Sequence, residues 1–200
     1  MSQAEIYAKE GLRTSNAPKP GNRGFTLWLT GLSGSGKSTL AERLVPIFDE
    51  RGLSVELLDG DVIRTNLSKG LGFSKEDRDT NILRIGWVAN RLSAHGAVVI
   101  TSAISPYRAV RDQVRTGMPE RFVEVFVSCP VETCAERDVK GLYERAFRGE
   151  IDNFTGVSDP YEPPESPEIV VETDKLSVEE CVAVVVARLE EMGRLPKASV

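Results

Sequence analysis

The chain has 200 residues, of which 40% are hydrophobic and 28% are charged, and its formal net charge is -5 at pH 7. These values fit one globular domain that can bury a core without disulfides, and the acidic balance argues against a nucleic-acid polymer as partner. A single histidine excludes an HExxH zinc site, and no apolar run approaches the ~18 residues of a membrane span.

The first 22 residues show no helical or strand periodicity and contain Pro18 and Pro20, so we predict an extended or disordered arm at 1–22. This segment lacks the apolar core of a signal peptide. Three cysteines without CxxC spacing are typical of free thiols in a reducing compartment. The sequence therefore predicts a cytoplasmic protein, with a folded domain at 23–194 and a C-terminal tail at 195–200.

Strand and helix signals alternate along the folded domain. Apolar runs predict strands at 25–30, 54–58, 97–101, 122–127 and 169–171. Helical spacing and capping residues predict helices at 37–51, at 74–95, after Ser105-Pro106 and after Ser177. Such alternation predicts an α/β fold of three layers, α/β/α, with a five-stranded parallel sheet and a ligand site beyond the carboxyl ends of the strands.

A complete GxxxxGK[ST] motif follows the first strand. It consists of Gly31, Leu32, Ser33, Gly34, Ser35, Gly36, Lys37 and Ser38, and Thr39 comes next. Its glycines let backbone N–H groups point at phosphate oxygens, and the helix that follows adds its positive N-terminal dipole. We expect Lys37 to reach the β- and γ-phosphates of ATP and the Ser38 hydroxyl to ligate Mg²⁺. The motif predicts a P-loop kinase.

Two carboxylates, Asp59 and Asp61, follow the second strand in the sequence DGD. Phosphoryl transfer needs a group that orients or deprotonates the acceptor hydroxyl, and a carboxylate at this strand end can do so. We assign that role to Asp61 and a magnesium role to Asp59. A plain Asp-Gly turn is the alternative for both residues.

Arginines and loop aromatics in the later sequence are candidates for the acceptor site. Arg64 and Arg78 could each hold an anionic group through paired hydrogen bonds, although a solvated ion pair is the usual role of a single arginine. Phe73 and Phe154 lie in polar loops next to glycines, where base stacking and core packing are the competing roles. Residues 138–156 combine basic residues with three glycines and predict a mobile lid over the phosphates.

The motifs together resemble the adenylylsulfate kinase family. The segments that carry the resemblance are GFTLWLTGLSGSGKSTLA, LLDGDVIR, LGFSKEDR, ISPYR, RDVKGLY and FTGVSDPYEPPESPE, between about Arg23 and Thr173. The resemblance implies transfer of the ATP γ-phosphate to the 3′-hydroxyl of adenosine 5′-phosphosulfate (APS), which gives 3′-phosphoadenosine 5′-phosphosulfate (PAPS). It also implies a homodimer. Since 200 residues leave no room for a sulfurylase domain as well, we expect APS to come from a separate sulfurylase.

The resemblance also implies roles for individual residues. It assigns acceptor contacts to Arg64, Arg78 and Asn81, the two faces of the acceptor adenine to Phe73 and Phe154, and the lining of that site to Ile104, Ser105, Lys140, Gly141 and Leu142. It places Arg137 against the ATP adenine. It gives Ser105 a phosphoserine intermediate, whereas the local Ser-Pro sequence predicts a helix N-cap instead.

Two residues depart from the family pattern. Trp87 stands where an acid is usual, and we predict that it packs; Ala103 stands where Phe usually precedes ISPY. We expect these departures to change affinity more than activity.

A P-loop kinase for another small acceptor, such as a nucleoside monophosphate or a sugar acid, is one alternative function. A nucleotide-binding regulatory protein is another, and intact Lys37, Ser38 and Asp61 count against it.

Overall fold

The computed structural model describes residues 24–197, so the arm predicted at 1–22 lies outside the described residues. The strands in this range are β1 (Thr26–Thr30), β2 (Val55–Asp59), β3 (Val98–Ser102), β4 (Phe122–Ser128) and β5 (Ile169–Glu172). The helices are α1 (Lys37–Glu50), α2 (Gly60–Asn66), α3 (Lys75–Ala94), α4 (Arg108–Gly117), α5 (Val131–Arg137), α6 (Leu142–Phe147) and α7 (Val178–Glu191). The predicted strands are confirmed, whereas the short helices α2, α5 and α6 were not expected.

The five strands form one sheet in the order β2-β3-β1-β4-β5, and every neighbouring pair is parallel. The chain builds one side of the sheet through β2 and β3 and then crosses β1 to build the other side. In open parallel sheets, a ligand crevice forms where the strand order reverses in this way. The loop after β1 therefore lies at the centre of the carboxyl edge.

Helices cover both faces of the sheet. Successive strand residues point to opposite faces, so Leu27 and Leu29 pack in the cluster formed with α1 and α7, whereas Trp28 packs in the cluster formed with α3 and α4. The three-layer α/β/α prediction is confirmed. Leu195, from the predicted tail at 195–200, is buried and packs in the cluster formed with α1 and α7.

Serine caps begin two of the predicted helices. The Ser74 hydroxyl accepts a hydrogen bond from the Asp77 N–H at 3.1 Å at the start of α3. Ser177 and Glu180 form a reciprocal capping box at the start of α7, with contacts of 3.2 and 2.8 Å. Each cap satisfies backbone donors that the first helical turn leaves free.

The predicted start of α4 at Ser105-Pro106 is wrong. The helix begins at Arg108, with Tyr107 as its N-cap residue. Ser105 instead adopts a left-handed φ of 43°, and its hydroxyl accepts a hydrogen bond from the Trp28 indole N–H at 3.1 Å. The serine oxygen is therefore used inside the core and is not directed at the helix N-terminus.

The face of α3 that lies away from the sheet carries an exposed aromatic residue. The sequence predicts packing for Trp87, yet 44% of its surface is exposed, because Ile82, Ile85 and Ala89 form the stripe that α3 buries.

Between residues 24 and 197, no helix is both long and apolar enough to cross a bilayer.

Candidate active site

A cavity of about 1370 Å³ opens at the carboxyl edge of the sheet, between the loop after β1, helix α2 and the segment 138–156. It brings together most of the candidate site residues. Those that line it are Ser33, Gly34, Gly36, Lys37, Ser38, Thr39, Asp59, Asp61, Arg64, Phe73, Arg78, Asn81, Ile104, Ser105, Arg137, Lys140, Leu142 and Phe154. Gly31, Leu32, Ser35 and Gly141 are not among the lining residues.

The loop between β1 and α1 has the backbone of a phosphate cradle. Gly34 and Gly36 adopt φ values of 74° and 97°, a region that side chains disfavour and glycine accepts. Helix α1 starts at Lys37, and no side chain caps its N-terminus. The N–H groups of its first turn, together with the helix dipole, are therefore available to an anion.

The Lys37 side chain lies within the curve of this loop and is 8% exposed. Its ammonium group donates hydrogen bonds to the carbonyl oxygens of Gly31 at 3.0 Å and Leu32 at 2.6 Å. Burial, together with the nearby positive charge of Lys140, lowers the pKa of Lys37 to about 8. A phosphate group in the loop would raise this pKa again, because an adjacent negative charge favours the ammonium form.

An oxygen cluster lies beside Lys37 at the ends of β2 and β3. The Ser38 hydroxyl donates to Asp59 Oδ2 at 2.9 Å and lies 3.1 Å from the Ser102 hydroxyl. Asp59 Oδ1 accepts from the Asp61 N–H at 3.0 Å and so also caps α2. Mg²⁺ prefers oxygen ligands and is usually held by one or two carboxylates together with substrate phosphates. Ser38 and Asp59 fit that ion, and Ser102 adds a hydroxyl that the sequence analysis missed.

The candidate base, Asp61, lies in the first turn of α2 with 74% of its side chain exposed, and it forms an ion pair with Lys140. Two further bonds organise the segment that carries Lys140. The Asp138 carboxylate accepts from the Tyr143 N–H at 3.0 Å, and the Tyr143 hydroxyl donates to the Ser33 carbonyl at 2.9 Å. Burial raises the pKa of Tyr143, so its hydroxyl remains a donor. The segment thus contacts the P-loop and the candidate base, while its mobility stays a prediction.

Two guanidinium groups surround the Phe73 ring. The Cζ atoms of Arg64 and Arg78 lie 4.5 and 5.5 Å from its centroid, and the ring is 55% exposed. Phe154, in contrast, is 8% exposed and packs edge-on against Tyr143 with 5.0 Å between the centroids. Phe73 is therefore a surface aromatic in a basic environment, whereas Phe154 combines core packing with a place in the cavity wall.

Helix α3 contributes buried polar groups to the same side of the cavity. Arg78 and Asn81 are 7% and 5% exposed. Asn81 Oδ1 has no hydrogen-bond partner in the part of the chain that the structure describes. Buried polar groups are normally hydrogen-bonded, so an unpaired oxygen in the wall of a cavity points to a ligand there.

Arg137 connects the P-loop to the end of β5. Its guanidinium donates to the Gly34 carbonyl at 3.3 Å and to the Thr173 hydroxyl at 3.2 Å. The Thr173 hydroxyl in turn donates to the Ser35 carbonyl at 2.8 Å. Thr173 is a second residue that the sequence analysis missed, and its position directly after a strand was the available signal.

Comparison with known proteins agrees with this geometry. Residues 23–172 match the family described as adenylylsulphate kinase. The chain is 58% identical over 175 residues to an adenylyl-sulfate kinase of Rippkaea orientalis, covering 88% of this chain and 96% of that protein. It is 60% identical over 174 residues to a probable bifunctional SAT/APS kinase 2 of Sorangium cellulosum, covering 87% of this chain and 30% of that protein.

A solved structure shows the same similarity in three dimensions. The Mycobacterium tuberculosis APS kinase CysC, in complex with AMPPNP and APS, superposes with a TM-score of 0.80 and 42% identity, covering 84% of this chain and 98% of that one. The family match covers most of the chain, and the relatives exceed half identity over nearly all of the described domain. The chain therefore belongs to the adenylylsulphate kinase family.

Proposed function

We propose that this chain transfers the γ-phosphoryl group of ATP to the 3′-hydroxyl of APS, with ADP and PAPS as products. The observation that carries the proposal is that one cavity joins the P-loop to a second lobe, the acceptor lobe, lined by Arg64, Arg78 and Phe73. The relative solved with AMPPNP and APS together supports the same pair of substrates.

On the donor side, we assign the triphosphate to the N–H groups of residues 31–39 and to the Lys37 ammonium. Mg²⁺, held by Ser38 and Asp59 with phosphate oxygens, would supply further positive charge. Phosphoryl transfer depends mostly on such positioning and on charge stabilisation, because the protein itself contributes little covalent chemistry. Arg137, which donates a hydrogen bond to the Gly34 carbonyl in the loop, is assigned to the ATP adenine.

On the acceptor side, we assign Asp61 to the 3′-hydroxyl, whose proton its carboxylate would accept as the phosphoryl group moves. Arg64, Arg78 and Asn81 would hold the acceptor, and Phe73 and Phe154 its adenine. Because Asp61 is paired with Lys140, this ion pair has to loosen before the carboxylate can accept a proton.

An assay with ATP, Mg²⁺ and APS tests the proposal directly. We expect PAPS and ADP to appear in equal amounts. AMP, UMP and gluconate offered in place of APS test for another small acceptor, and faster turnover of any of them would overturn the assignment. ATP binding without a phosphorylated product would indicate a regulatory protein instead.

The two aromatic residues give a test of the acceptor lobe. Phe73→Ala and Phe154→Ala should each weaken APS binding, because stacking of one base contributes roughly 1–3 kcal/mol by alanine substitution. The KM for ATP should hardly change. Phe154→Ala should also lower the melting temperature, since that ring is buried against Tyr143.

Phe147→Ala is the matched control, because Phe147 also lies near Tyr143, with 6.2 Å between the ring centroids, but is 61% exposed and does not line the cavity. Steady-state kinetics and thermal unfolding would be measured for all three variants. Unchanged APS constants in folded Phe73→Ala and Phe154→Ala would show that neither ring stacks on the base.

Ser105 gives a second test. Its hydroxyl accepts from Trp28 Nε1 at 3.1 Å and donates to Thr30 Oγ1 at 3.0 Å, and the residue is 1% exposed. Ser105→Ala would leave the buried indole N–H without an acceptor, which typically costs about 1–3 kcal/mol of stability. We expect a less stable enzyme that still turns over. Loss of turnover in a folded variant, with phosphoserine detected in the parent enzyme during the reaction, would restore the covalent intermediate.

We further propose a homodimer in the cytoplasm that receives APS from a separate sulfurylase. Three free, buried thiols, Cys129, Cys134 and Cys181, fit a reducing compartment. The resemblance to the family supports the dimer, and sedimentation of the purified chain at several concentrations tests it.

A further inference from the structure

The segment SDPYE, at 158–162, contains an aspartate that does not line the cavity but contacts Arg78, which does. Asp159 Oδ2 accepts a hydrogen bond from the Tyr107 hydroxyl at 2.6 Å. The same oxygen lies 3.8 Å from Arg78 Nε. The Arg78 and Asp159 side chains are 8% and 19% exposed, so this charge pair is only slightly screened by solvent.

The remaining contacts of Arg78 show which part of its guanidinium is free. Nε donates to the Phe73 carbonyl at 3.0 Å, and Nη2 donates to the Asn153 carbonyl. Within residues 24–197, no group accepts a hydrogen bond from Nη1, and no carboxylate other than Asp159 forms an ion pair with Arg78. The protein therefore holds the Nε–Nη2 edge and leaves Nη1 for a ligand in the cavity that Arg78 lines.

The backbone of Asp159 bonds to the turn around Phe154, which lines the same cavity. The Gly156 N–H donates to the Asp159 carbonyl at 2.7 Å, and the Asp159 N–H donates to the Phe154 carbonyl at 3.1 Å. These two bonds close the turn that carries Phe154. One residue thus contacts both the guanidinium on α3 and the turn that carries the Phe154 ring.

We propose that Asp159 is a positioning residue for the acceptor: held by Tyr107, its carboxylate fixes the Arg78 guanidinium so that Nη1 faces the anionic phosphosulfate. This inference rests on the proposed function. A buried cation needs a nearby counter-charge, and here that charge is closest to Nε, does not line the cavity, and leaves Nη1 free. Tyr107 keeps its proton near neutral pH, because burial and the Asp159 contact raise its pKa to about 12.

The test compares Asp159→Asn with Glu165→Gln, a matched control three residues after this segment whose carboxylate pairs with Arg108 at the surface. Calorimetry gives the Kd for APS and for a non-hydrolysable ATP analogue, and steady-state assays give kcat and both KM values. Two residues that share an ion pair are typically coupled by about 10-fold in their effect on binding, so the Kd and KM for APS should rise by about that factor. The Kd for the ATP analogue and the KM for ATP should stay unchanged in Asp159→Asn. All of these constants should stay unchanged in the control variant Glu165→Gln.

A double-mutant cycle with Arg78→Ala separates positioning from general stability. If Asp159 acts through Arg78, Asp159→Asn should weaken APS binding by less than about 2-fold in the Arg78→Ala background, the usual limit of additivity. The same weakening in both backgrounds, or an effect on ATP as large as that on APS, would overturn the inference. Tyr107→Phe serves as a second variant if Asp159→Asn does not fold, and we expect a smaller change in the same direction.

The design also distinguishes this inference from the proposed function. A parent chain that binds APS but forms no PAPS would contradict the proposed function, and the calorimetric cycle would still decide on Asp159. A parent chain that does not bind APS at all would overturn both.

Discussion

Asp61→Asn is expected to lower turnover with APS by about 10²–10⁴-fold, the range that loss of a positioned general base produces. Asparagine keeps the size of the side chain but cannot accept the proton of the 3′-hydroxyl. The affinity for ATP should remain, since the P-loop and Ser38 are intact. Kinetics beside nucleotide titration of the same preparations would measure both effects.

Glu76→Gln is the matched control for this variant, because Glu76 is also an exposed acid in the first turn of a helix, here α3. Glu76→Gln removes only the small favourable interaction between a carboxylate and the N-terminal dipole of its helix. It therefore shows how much that loss by itself changes turnover. If Asp61→Asn loses ATP affinity and keeps its turnover at saturating ATP, Asp61 belongs to the magnesium site and the assignment as base is wrong.

Lys37→Ala is expected to reduce turnover by about 10²–10³-fold, since one preorganised electrostatic donor to the transferring group is lost. Lys69→Ala, an exposed lysine in the loop after α2, provides the control. Circular dichroism would establish that the variant is folded. Near-normal turnover in a folded Lys37→Ala protein would show that this loop does not cradle the triphosphate of ATP.

The pKa of Lys37 adds a pH dependence with a defined sign. In the free protein burial lowers this pKa to about 8, whereas bound phosphates raise it. ATP affinity should therefore fall as the pH rises above 8, and binding at such pH should take up protons. Calorimetry in buffers of different ionisation enthalpy measures the uptake, which Lys37→Ala should abolish. ATP binding without proton uptake in the parent protein would contradict the lowered pKa.

The sequence alone determined the strands, the existence of the longer helices and the family. Residues 31–38 are contiguous, and their glycines at 34 and 36 need the left-handed backbone that the structure shows, so a local pattern was enough to predict the P-loop. The strands were predictable for a similar reason: strands buried on both faces appear as short apolar runs between loops. The helices α2, α5 and α6 were missed because each has only six or seven residues, too few for an amphipathic period to show.

Only the tertiary structure decided what the isolated polar and aromatic residues do. Ser105 appeared to cap a helix, but its hydroxyl bonds Trp28, a partner 77 residues away in sequence. Phe154 became part of a buried cluster, and Asp159 reached Tyr107 across 52 residues. A polar side chain with several possible partners bonds to the group that the packed sheet and helices bring within about 3 Å. The whole fold sets that distance, and the residues next to the side chain in sequence do not.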